Sequence, residues 1–101
     1  MHLIQILLPL RDNGGKSFPE RMFLEVTGEL ARQFSGVTAY SRSPAEGCWR
    51  SRQRVQREAI VVFEVMTMRL SRAWWKSYRK ELECRFRQKE VVVRSQEIIC
   101  L

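Results

Sequence analysis

The chain has little of what small disulfide-bonded or metal-bound proteins are built from. Its three cysteines, Cys48, Cys84 and Cys100, are odd in number with no CxxC spacing, and His2 is the only histidine. Neither a disulfide framework nor a zinc site is supported, no metal and no cofactor is expected, and the cytoplasm, a reducing compartment, is the expected setting. Five glycines and three prolines in 101 residues are too few for a disordered or fibrous chain. Long apolar runs are missing too. The opening His2 to Leu10 is far too short to span a bilayer, and with no basic segment before it and no small-residue cleavage site after it, it does not read as a signal peptide. Acidic residues are the last shortage: 11 against 18 basic ones, a net charge of +7.

That excess is unevenly placed. Met1 to Ser41 carries four basic and four acidic residues, whereas Arg42 to Arg57 carries five arginines against Glu46 alone, and Arg69 to Lys89 carries eight basic residues against Glu81 and Glu83. A basic surface attracts polyanions such as nucleic acid or anionic lipid, and it equally favours plain solubility. Arg50, Arg52, Arg54 and Arg57 form the basic surface that would meet an acidic partner or polyanion.

What is present is a strand pattern of unusual symmetry. Ala59 to Met66 is the longest apolar run, rich in β-branched residues and broken only by Glu64. Apolar residues at both alternating positions predict a central strand covered on both faces. Leu3 to Leu10 reads the same way apart from Gln5, with Pro9 ending its pairing. Arg11 to Lys16 is a turn; its Gly14-Gly15-Lys16 lacks the glycine spacing of a phosphate loop. Ser17-Phe18-Pro19-Glu20 matches a capping box, and Phe23, Val26, Leu30 and Phe34 step along one helical face to a stop at Ser35-Gly36, with Gly28 as a point of close approach to a sheet. Val37 to Arg42 is a weaker, edge-type strand, followed by a long loop in which Trp49 is expected to be pinned against something. Leu70 to Gln88 is a second helix, with Ser71 as N-cap. Trp75, Tyr78, Leu82 and Phe86 form its core stripe beside Trp74, and Arg72, Lys76, Arg79, Lys80 and Arg87 its watered face. Glu90 to Cys100 closes the chain as a strand.

The order β, α, β, β, α, β in a single domain spanning 1–101 defines an α+β chain. Two right-handed crossovers joined by a central hairpin place the first and third strands in the middle of a four-stranded antiparallel sheet with two helices on one face, the ferredoxin-like arrangement. The first and third strands are also the two that are apolar on both faces. On this element order and burial pattern the whole chain resembles small bacterial proteins of ferredoxin-like shape, including the dimeric α+β barrel superfamily. Helices cover one face of such a sheet. The other would expose a large apolar patch, so a homodimer packed sheet to sheet about an isologous two-fold is expected, enclosing a pocket at each end of the interface.

The resemblance implies small-molecule work, since its relatives include cofactor-free monooxygenases, haem-degrading enzymes and ligand-sensing domains. The pocket candidates are Gln5, Tyr40, Arg42, Trp49 and Glu64, polar or aromatic groups on or near otherwise apolar strands. Glu64 is the sharpest: a carboxylate desolvated in a strand could act as a general base, whereas one paired with an arginine such as Arg94 would be structural. A small homodimeric ligand-binding or protein-interaction protein is the first expectation and a cofactor-independent barrel enzyme the second. An RNA-binding module is the third, because the RRM domain shares the element order. Arg57-Glu58-Ala59-Ile60-Val61-Val62-Phe63, however, lacks that domain's glycine and has only one ring.

Overall fold

A computed structural model describes residues 1–45 and 58–101 of the chain. The described residues form an α+β fold of six elements: β1 (His2–Pro9), α1 (Glu20–Gln33), β2 (Thr38–Ala45), β3 (Glu58–Thr67), α2 (Arg72–Arg85) and β4 (Val92–Glu97). The four strands form one antiparallel sheet in the order β2-β3-β1-β4. The two strands with apolar residues at both alternating positions therefore stand in the middle.

Register fixes what each face carries. Ile4, Ile6 and Leu8 of β1 lie opposite Val65, Phe63 and Val61 of β3, and all six are buried in one core with Val26 and Leu30 of α1 and Trp75, Tyr78 and Leu82 of α2. Side chains alternate along a strand, so the intervening residues Leu3, Gln5, Leu7, Ile60, Val62, Glu64 and Met66 belong to the other face. At one end Phe18 meets Phe86 edge to face at 5.0 Å, and at the other Phe34 stacks on Trp75 at 5.2 Å. The aromatic stripe of α2 is thus core.

Several local expectations are corrected. Ser17 does not cap α1: the helix begins at Glu20 with Pro19 at the N-cap position and no side-chain cap. Ser17 instead bridges Arg11, and the Phe18 N–H donates to the Leu10 carbonyl at 3.0 Å, which holds the backbone extended and carries Phe18 into the core. The turn between them is closed by Asp12, whose Oδ1 accepts from the N–H groups of Gly14 and Lys16, both at 2.9 Å. Gly15, at φ 86°, supplies the left-handed step this turn requires. At its other end α1 is stopped by Phe34, which turns extended at φ −125° to place its ring on the tryptophans, rather than by Gly36. α2 is shorter than expected and does start at Ser71, whose hydroxyl accepts from the Trp74 N–H at 3.3 Å. β2 runs on to Ala45, with a register irregularity between Arg42 and Ala45. β4 ends at Glu97.

The helices are tied together by one carboxylate. Glu29 of α1 accepts from Arg85 of α2 through both oxygens, at 2.5 and 2.6 Å, and from the Tyr78 hydroxyl at 3.1 Å, while Glu81 takes a further Arg85 N–H at 2.7 Å. The Arg85 hydrogen bonds lower the pKa of Glu29 below its ordinary 4.5, outweighing the opposing effect of partial burial. Burial first, and then the Glu29 charge, raise the Tyr78 phenol well above its usual range.

Two predictions follow from these contacts. A Cβ at Gly28 would meet only Arg32 of the same helix, at 3.4 Å, so this glycine marks no close approach to the sheet. Gly28→Ala should stabilise the fold by about 0.5 to 1 kcal/mol, read as a higher urea midpoint at unaltered slope. Glu29 and Arg85 are only 31% and 23% exposed, and Glu29→Gln should cost about 1 kcal/mol near neutral pH. Because the folded-state pKa of Glu29 is the lower one, its contribution is complete above the unfolded value of about 4.5 and is lost as pH falls through the folded value. Urea melts of wild type and Glu29→Gln should therefore converge toward the acid end and stay apart above pH 5.

Candidate functional site

The sheet face away from the helices carries the candidate site. Its most polar feature is one transverse row. Thr38, Glu64, Gln5 and Arg94 are register partners across all four strands, so their side chains share this face. The Gln5 amide donates from Nε2 to Glu64 Oε2 at 2.7 Å, and Gln5 Oε1 accepts from Arg94 Nε at 2.9 Å. A carboxylate and a guanidinium are thus joined through one amide, each group using the polarity it has to offer. The expected Glu64 to Arg94 pair is therefore indirect: β1 lies between their strands, and Gln5 fills the gap.

Apolar residues flank the row on both sides. The next register line holds Tyr40, Val62, Leu7 and Val92, and the one beyond it Arg42, Ile60 and Pro9; on the other side stand Met66, Leu3 and Gln96. Val62 is buried by its neighbours, Leu3, Leu7, Ile60 and Tyr40 are half-buried, and Met66 and Val92 are 52% and 42% exposed. At the end of the sheet beyond Leu3, the Cys100 thiol lies 3.3 Å from the Met1 sulfur and 3.9 Å from that of Met66. The face is a polar stripe set in a greasy field.

Of the five pocket candidates, Gln5, Tyr40 and Glu64 fall on strand positions of this one face, Arg42 pairs in the β2 backbone with Ile60, and Gln5 and Glu64 touch. Trp49 and the basic-loop residues Arg50, Arg52, Arg54 and Arg57 lie outside the described residues. Arg94 belongs to the row as a full member; its signal in the sequence was a lone cation in an otherwise uncharged part of the last strand. Among the described residues no group of three or more His, Cys, Asp or Glu side chains could hold a metal ion, and no helix is long and apolar enough to cross a membrane. Comparison of the chain with protein-family models, curated proteins and solved structures finds no match.

The row gives a prediction of its own. Gln5→Leu leaves Glu64 without its donor and Arg94 Nε without its acceptor, and should destabilise the protein by about 1 kcal/mol. Replacing Glu64 as well, in Gln5→Leu/Glu64→Leu, removes the stranded carboxylate and should recover most of the loss in denaturant melts.

Proposed function

We propose that the protein is a small homodimeric ligand-binding or protein-interaction protein whose two copies pair through the helix-free sheet face, and that its fold is the ferredoxin-like one of the dimeric α+β barrels. The strand order β2-β3-β1-β4 with both helices packed on one core supports the fold reading. The observation that carries the pairing is the second apolar face: Leu3, Leu7, Ile60, Val62, Met66 and Val92 are all apolar on the face away from α1 and α2, the two helices of the described residues. Val92 and Met66, the most exposed of them, sit on opposite sides of the polar row. A two-fold copy would cover both flanks and enclose the rows of the two chains in a polar slot, where a ligand with hydrogen-bonding groups would be held.

A cofactor-independent enzyme is the second reading, favoured by one observation. Glu64 is a half-buried carboxylate held in place by an amide, the arrangement that would suit a positioned base once a partner excluded water. RNA binding by the same face is disfavoured, because the central positions Ile60, Val62 and Glu64 offer no ring on which a base could stack.

Light scattering and sedimentation at tens of micromolar test the pairing. The wild-type chain should run at the mass of two chains, and Met66→Glu/Val92→Glu, altered only at positions exposed in the single chain, should run as one chain with an unchanged far-ultraviolet spectrum. A wild-type chain that stays single at that concentration overturns the proposal.

A further inference from the structure

A groove on the helix side of the sheet, between α2 and the edge strand β4, has no place in the pairing of sheets. It is lined by Ile4, Leu70, Trp75 and Val93 as an apolar floor, and by Arg72, Lys76, Arg79, Arg94 and Ser95, with a volume near 390 Å³. Small-molecule sites commonly run from about 300 to 1,000 Å³. Arg72, Lys76 and Arg79 stand at i, i+4 and i+7 on α2, so they form one row beside Trp75. Arg72 and Lys76 are exposed, as the watered side of the helix requires, and Arg79 is half-buried, so the row forms the open rim of the groove.

Three observations point to an anion. No carboxylate lines the groove, and among the described residues the ion pairs are those of Arg85, leaving Arg72, Lys76 and Arg79 without one; the Arg94 side chain is engaged with Gln5 on the other face. Arg79 Nε is fully buried and finds no acceptor among the described residues, although buried donors are nearly always satisfied. The first turn of α2 holds no acid and begins with Arg72, so a like charge has been placed at the positive end of the helix dipole. Like charges gathered round one concavity raise its affinity for an anion.

We infer that this groove binds a small organic anion, a carboxylate or phosphate monoester whose charged head meets Arg72, Lys76 and Arg79 and whose apolar body lies on Trp75, Ile4 and Val93. The cationic row spans about 10 Å of helix, the length of one such molecule rather than of a nucleic-acid track. The groove opens behind the sheet and does not require a second chain, so binding heat and molecular mass test the two proposals separately.

The test is calorimetric titration of the full chain with phenyl phosphate, phenylacetate and inorganic phosphate in about 0.15 M salt, where long-range attraction is largely screened. Phenyl phosphate or phenylacetate should bind at one per chain. Inorganic phosphate, which cannot use the apolar floor, should bind at least about tenfold more weakly. Arg79→Gln and Arg72→Gln should each weaken the organic anion about tenfold or more, whereas Lys89→Gln, away from the groove, should leave it unchanged. Arg72 is exposed, so its variant decides the matter even if Arg79→Gln folds poorly. No binding of either organic anion at millimolar concentration, affinity unchanged in Arg72→Gln, or inorganic phosphate binding as tightly as its phenyl ester would each overturn the inference.

Discussion

The structure depends on the pairing of β1 with β3 in one register. With Ile4, Ile6 and Leu8 set against Val65, Phe63 and Val61, six large apolar side chains meet under the helices, and a slip of one residue would put Gln5 or Glu64 there, depending on which strand turns over. Burying either the amide or the carboxylate in the core, away from the other, would cost several kcal/mol. The same two polar residues that interrupt the apolar strands therefore choose the register. They also choose each other, since the correct register places them side by side.

A sheet whose central strands are apolar on both sides must account for its second face. Here the balance is close. Five partly exposed apolar side chains per chain, at about 1 kcal/mol each for the burial still to be gained, supply about 10 kcal/mol to a pair, of the same order as the about 4 to 15 kcal/mol of freedom that association removes. A contact of the kind proposed between two copies would then be concentration-dependent rather than obligate. The Glu64–Gln5–Arg94 row fits this balance, because its groups are satisfied within one chain and stay satisfied in a lone subunit.

Much of this was legible in the residues. The element order, the central position of the first and third strands, the α2 stripe and its Ser71 cap all followed from periodicity, which local physics enforces strongly. Helix starts and stops were less legible, because tertiary packing decided them: Ser17 matches a capping box yet is held extended by Leu10 and Arg11, and Phe34 leaves its helix to stack on Trp75. At the site, the sequence singled out Gln5 and Glu64 separately as polar breaks in apolar strands. Their contact depends on the register of β1 with β3, and the entry of Arg94 on β4 pairing with β1, long-range registers that no local pattern encodes. The cationic groove was hidden for a related reason. Periodicity places Arg79 on the face opposite the aromatic stripe, but says nothing of Val93 and Ser95 of β4, which line the groove with it.

The uneven charge of α2 follows from where the acids are placed. Glu29 of α1 and Glu81 both serve Arg85, and Glu83 accepts from the Val91 N–H at 2.9 Å, so these carboxylates gather about the C-terminal half of α2. They would lie better with the helix dipole at the other end. The arrangement instead locks α1 to α2 and fixes the approach to β4, while the N-terminal half keeps Arg72, Lys76 and Arg79 with no counter-charge. One helix thus carries a neutralised, structural half and an unneutralised, open half, and the boundary between them falls at Arg79, whose Nε is the one buried polar side-chain atom of the described residues left without a hydrogen-bond partner.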